Sequence, residues 1–133
     1  MKKTIFPFLM IVVLCSFMNG NNPLQGVWEY RGGLVNGKVD DSVSKAYKLQ
    51  RTYDGLHYQA LVIEKGAKSF VYEKGDYKLI ADTCFETQTY CSQPSKLLGK
   101  TVKYIYIVSK DTLKLQATLP NGNLIEDHWV KVR

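Results

Sequence analysis

From Lys45 to Arg133 the apolar residues never settle into helical spacing, and short β-forming runs alternate with turn-forming residues instead. Ala46 to Tyr53 leads through the hairpin dipeptide Asp54-Gly55 into Leu56 to Ile63. Lys65-Gly66 makes the next break, Ser69 to Tyr72 a brief strand, Lys74-Gly75 a turn, and Tyr77 to Ala81 another strand ending at Asp82. Cys84 to Tyr90 follows, then the loop Ser92 to Gly99, a long strand over Val102 to Ser109, and the turn Lys110-Asp111. Leu113 to Leu119 and, after Pro120-Asn121-Gly122-Asn123, Leu124 to Val132 complete the series. This rhythm predicts an all-β sandwich or barrel with no long helix.

Two tryptophans suggest how such a sheet ends. Trp28 lies in Leu24 to Tyr30, read as the first strand, and Trp129 lies in the last. Alternation puts Trp28 and Tyr30 on one face. If the first and last strands pair, the sheet closes on itself and leaves no long exposed edge. Between them, Gly32-Gly33 is expected to break the first strand, and Leu34 to Ser44 to form a long loop. Asp40-Asp41-Ser42 could cap a helical turn there; as a metal site it is a poor prospect, because adjacent aspartates on an extended chain point opposite ways. In Leu113 to Leu119, one face is Leu, Leu, Ala, Leu. In the last strand Ile125, Asp127, Trp129 and Lys131 share a face, so a charge accompanies the indole, and a buried charge must be paired.

The N-terminus reads differently. Met1-Lys2-Lys3 is basic, Ile5 to Leu14 is apolar, and Cys15 to Gly20 is small and polar. That order is a secretory signal, with an apolar run too short to span a bilayer. Residues 1–20 are read as the signal peptide and 21–133 as one domain, exported to the periplasm or secreted. The alternative makes Cys15 a lipid-modified N-terminus, against which Leu14 argues. Without Lys2 and Lys3, 16 basic and 12 acidic side chains remain, a net charge of +4 with no run of one sign. A mixed surface of this kind gives no nucleic-acid footprint, and the mature chain has no transmembrane span.

Cys84 and Cys91 flank six strand-forming residues with no turn former among them. On a continuous strand they stand roughly 23 Å apart, whereas a disulfide needs Cα atoms within about 7 Å. The strand reading leaves them unbonded; a looped hairpin would allow the bond.

Gly26-x-Trp28, Gly75-x-Tyr77, Asp111-Thr112-Leu113 and Asp127-x-Trp129-x-Lys131, in this order, resemble small secreted lipocalin-like domains of bacteria, many of them uncharacterised. The resemblance implies an up-and-down antiparallel β-barrel of about eight strands whose interior can hold a small apolar or amphipathic molecule. It also singles out Glu86, where family members carry an acid, and Lys131, where they often carry arginine. The candidate lining is Trp28, Tyr30, Tyr58, Tyr77, Glu86, Tyr104, Tyr106 and Trp129, although for each of them the simpler reading is that it fills a solid core. An inward Glu86 needs a partner, with Lys48 or Lys131 as candidates. Leu97 and Leu98 are candidates to cover a barrel mouth or plug its rim.

Three functions follow in order: a binding protein for a small hydrophobic or amphipathic ligand, a protein-interaction or inhibitor domain using the loops Leu34–Ser44 and Ser92–Gly99, and an enzyme of unknown reaction. No nucleophile elbow, phosphate loop or zinc spacing is present, and no cofactor, metal or catalytic residue is expected. Interior volume separates the first two, a ligand site needing about 300 Å³ or more.

Overall fold

The structure is a computed structural model and describes residues 22–43 and 45–133. The predicted leader and Cys15 lie outside the described residues. Nine strands follow one another: β1 (Gly26–Val35), β2 (Lys38–Val39), β3 (Tyr47–Tyr53), β4 (His57–Glu64), β5 (Phe70–Ile80), β6 (Thr83–Cys91), β7 (Thr101–Ser109), β8 (Thr112–Thr118) and β9 (Leu124–Lys131). Each neighbour in the order β1-β3-β4-β5-β6-β7-β8-β9 is antiparallel, and β1 also pairs with β9, which closes an eight-stranded up-and-down barrel. β2 is a short flap attached to β1 alone. No helix occurs among the described residues.

Closure occurs where the tryptophans predict it. Trp28 stands opposite Lys131 and Tyr30 opposite Trp129. The first strand, however, does not break at Gly32-Gly33. It bulges between Tyr30 and Gly32 and runs on to Val35. A Cβ on Gly33 would lie only 2.6 Å from the Glu126 carbonyl oxygen, so a glycine lets the two strands stay paired. The expected long loop therefore contains the β1–β2 hairpin, and Asp40 caps no helix: its Oδ1 accepts from the Ser42 amide at 2.9 Å.

Gly75 is a second departure. Lys74-Gly75 reads as a turn, yet β5 continues through it, with a shift of register against β6 between the two residues. A Cβ at Gly75 would collide with the Thr87 carbonyl and the Tyr58 ring. The glycine makes room for an aromatic ring lying against the inner barrel wall rather than for a turn. Cys84 and Cys91 both lie on β6 and are free, as the continuous-strand reading requires.

The barrel has two unlike ends. At the base, where the β3–β4, β5–β6 and β7–β8 hairpins turn, Leu24, Trp28, Tyr53, Tyr77 and Leu113 are almost fully buried, and Trp129, in the middle of the barrel, belongs to the same cluster. The Trp28 indole donates to the Leu24 carbonyl at 2.7 Å, which folds the incoming chain across the base. The Tyr77 hydroxyl accepts from Asn22 Nδ2 and from the Gly55 amide, each at 2.7 Å. At the opposite end, the mouth, inward residues such as Tyr30, Tyr47, Tyr72 and Asp127 are only partly buried.

Candidate site at the barrel mouth

Alternation along β3 carries Arg51 and Tyr53 inward together, and β6 brings Glu86 to meet them across the barrel. The Arg51 guanidinium pairs with Glu86 Oε1, and Arg51 Nε donates to the Tyr53 hydroxyl at 3.1 Å. That hydroxyl donates in turn to Glu86 Oε2 at 2.7 Å. Burial, the largest single influence, would lower the arginine pKa, but Glu86 together with Tyr53, Glu73 and Tyr104 outweighs it and raises the value. Burial and the adjoining Glu86 both raise the Tyr53 hydroxyl, leaving it a proton donor. The guanidinium also lies 4.6 Å from the Tyr58 ring centroid and 5.8 Å from that of Trp129. This triad is a closed set of charge and hydrogen bonds that a low-dielectric interior tolerates only because each group is matched.

Glu86 thus faces inward as expected, but its partner is Arg51 and neither proposed lysine. Lys48 points outward to Glu29, 3.9 Å away, and the Lys131 ammonium lies over Trp28 at 5.7 Å. The charge that accompanies an indole at the strand closure is thereby Lys131 on Trp28, across the β1–β9 seam.

The predicted lining residues fall into three levels. Trp28, Tyr77 and Tyr106 belong to the base, Tyr106 donating to the Ala81 carbonyl at 2.7 Å. Tyr58, Glu86 and Tyr104 occupy the middle, where Tyr58 donates to Glu73 Oε1 at 2.7 Å. The space they leave with Glu73 and Leu97 is about 10 Å³, room for about one water. Leu97 sits over this level, held by a loop whose Ser95 hydroxyl bonds Gln88 Oε1 at 2.5 Å, while Leu98 remains exposed. Of the eight, only Tyr30 reaches the upper level, its ring packed edge to face on the buried Trp129 below with centroids 5.2 Å apart.

The room lies higher. β1 pairs with β3 only from Gly26 to Glu29; above that the two strands separate. A cleft of about 710 Å³ opens between them, lined on its inner side by Tyr30 and Tyr47 and roofed by Val39, Asp40 and Val43. Its outer lip carries Arg31, bonded to Glu29 at 2.6 Å, and Lys48 directed at the same acid. Tyr30, which lines the cleft, also meets Asp127, which does not: the Tyr30 hydroxyl and Asp127 Oδ1 lie 2.8 and 3.0 Å from the point where a Gly33 side chain would begin. Burial raises the Asp127 pKa to about 6, Arg51 pulling against it while Asp40 and Glu86 push the same way. Burial, then Asp127 and Asp40, raise Tyr30 to about 12. Beneath them the Trp129 Nε1 is buried with no hydrogen-bond partner among the described residues.

The residues that sequence reasoning missed are Arg51, Glu73, Tyr47 and Tyr72. Arg51 had a usable signal, since it shares the face of Tyr53 two positions on. Tyr72 had none, because it stands at the β4–β5 irregularity, where alternation is lost. Among the described residues no group of three His, Cys, Asp or Glu side chains is placed to hold a metal ion.

An eight-stranded up-and-down barrel sealed at one end and open at the other is the lipocalin-like architecture, and solved structures agree. An uncharacterized protein from Bacteroides eggerthii superposes with a TM-score of 0.58 at 14% identity, over 81% of this chain and 98% of that one. A lipocalin-like protein from Bacteroides uniformis superposes with a TM-score of 0.57 at 16% identity, over 82% and 98%. The fold is a lipocalin-like barrel. At these identities the likeness concerns the fold alone. No protein-family model matches the chain, and no curated protein does.

Proposed function

We propose that this lipocalin-like barrel is an exported binding protein that takes a small amphipathic molecule at its mouth, seated between Tyr30 and Tyr47 and reaching down toward Trp129. The observation that carries this reading is the lining of the space at the parted β1–β3 seam: of three clefts of about 710, 640 and 510 Å³, this largest one carries Tyr30 and Tyr47 and the other two carry no tyrosine. Its volume falls within the range of small-molecule sites, and its tyrosines combine apolar faces with hydrogen-bonding tips. A ligand acceptor near Trp129 Nε1 would also relieve a buried donor, worth about 1–3 kcal/mol.

Two measurements test it. Native mass spectrometry of protein recovered gently from its host should show a co-purifying adduct. Titration with octanol, an uncharged amphiphile, should change tryptophan emission saturably in the native protein and much less in Tyr30→Ala. Absence of both an adduct and a saturable response refutes the binding reading. Export rests on the leader pattern in residues 1–20, and N-terminal sequencing of the mature chain should begin near Asn21; a lipidated Cys15 would instead assign the anchored form.

A further inference from the structure

We propose that the mouth selects an amphipathic cation, a quaternary ammonium or amine on an apolar body, with Asp127 as its counter-charge. This rests on the binding reading above and adds the chemical class of the ligand. The charges facing the barrel interior are unevenly matched. Arg51 is committed to Glu86, and Glu73 accepts from Tyr58. Asp127 faces the same interior with no hydrogen bond or ion pair among the described residues. The cations at the cleft's outer lip do not answer it, since Arg31 and Lys48 are turned to Glu29.

The surroundings of Asp127 suit an organic cation better than a metal ion, since no group of three His, Cys, Asp or Glu side chains among the described residues is placed to hold one. The groups facing it are Arg51 on β3, Asp40 in the loop after β2, Glu86 on β6 and His128 beside it on β9. The hydroxyls of Tyr30 on β1, Tyr72 on β5 and Tyr104 on β7 complete the set. Arg51 is the one buried cation among them, and Glu86 already neutralises it. An ammonium beside Asp127 would meet a carboxylate and the oxygen of the Tyr30 hydroxyl, both of which attract cations. Its apolar body would fit the Tyr47 and Val43 side of the cleft. The outer surface is basic on balance, so this inward acid is a local reversal of the chain's charge.

The test compares three probes of equal chain length below their micelle concentrations: octyltrimethylammonium, octanol and octanoate. Tryptophan emission of the full-length protein reports binding. The cation should bind at least about tenfold more tightly than octanol, and octanoate more weakly still. Since the probe does not titrate and Asp127 protonates near pH 6, cation affinity should fall about tenfold from pH 7 to pH 5 while octanol affinity stays level. Asp127→Asn should erase both the preference and its pH dependence. Asp76→Asn, the same charge change on the outer wall, should keep both. Thermal unfolding of both variants confirms that they fold. Equal binding of cation and octanol, or a preference that survives in Asp127→Asn, overturns the cation assignment and leaves the binding reading standing. If none of the three probes binds and no adduct co-purifies, the binding reading falls with it.

Discussion

Base and mouth are built from the same residue types, tyrosine and tryptophan above all, and yet they are opposite in character. At the base every polar tip is spoken for: Trp28 by Leu24, Tyr77 by Asn22 and Gly55, Tyr106 by Ala81. At the mouth, Asp127 has no partner among the described residues, nor has the Trp129 indole buried beneath it, and the neighbouring strands stand apart. An aromatic residue therefore does not announce a ligand site. What distinguishes the two ends is whether its polar atom has already been satisfied by the chain itself.

If that distinction is right, damage at the base should cost stability and damage at the mouth should cost binding. The largest effect is expected for Trp28→Ala, which empties a fully buried site and removes the bond to Leu24, costing about 3–5 kcal/mol in urea unfolding. Tyr30→Ala, in the half-buried mouth, should cost clearly less; equal losses would break the comparison. Next comes the boundary between the two ends. Glu86→Gln strands a buried guanidinium and should cost about 3 kcal/mol or more, whereas Arg51→Met combined with Glu86→Leu should recover most of that loss. A double variant no better than the single would mean that the triad does more than balance charge. Gly75→Ala should cost about 1–3 kcal/mol, because a methyl group there must push against Thr87 and Tyr58.

The smallest effect sharpens the mouth. Asp127 has its pKa raised in the folded chain from 3.8 to about 6, so over that window the folded state binds more protons than the unfolded one. Stability contributed by this group accordingly falls as pH rises from about 4 to about 6. Asp127→Asn should flatten that part of the pH–stability profile and raise the unfolding midpoint slightly at pH 7. A profile unchanged by the substitution would place the carboxylate in ordinary solvent.

The sequence made the barrel's closure legible because two indoles sit on strands at opposite ends of the domain, and alternation then fixed which side chains turn inward. It also kept Cys84 and Cys91 apart correctly, since nothing between them can bend the strand. Gly75 was misleading for a physical reason: glycine permits a turn, but it equally permits a ring to lie against the backbone, and only the position of Tyr58 decides which. The partner of Glu86 was sought among lysines, although Arg51 two residues before Tyr53 carried the inward phase. Tyr72 and the continuation of β1 were hidden by irregular register, which shifts the face on which every later residue falls. The parting of β1 from β3 has no signature in residue type at all.

The base has one more consequence. The Val27 amide donates to the Arg133 carbonyl at 2.7 Å, and the Val132 amide to the Val27 carbonyl at 2.8 Å, so both described termini are knotted into the floor. A tether attached at either end, whether an affinity tag or a lipid, would hang from the underside and hold the cup upright. Immobilised on a sensor chip by either terminus, the molecule would offer its opening to the flowing solution.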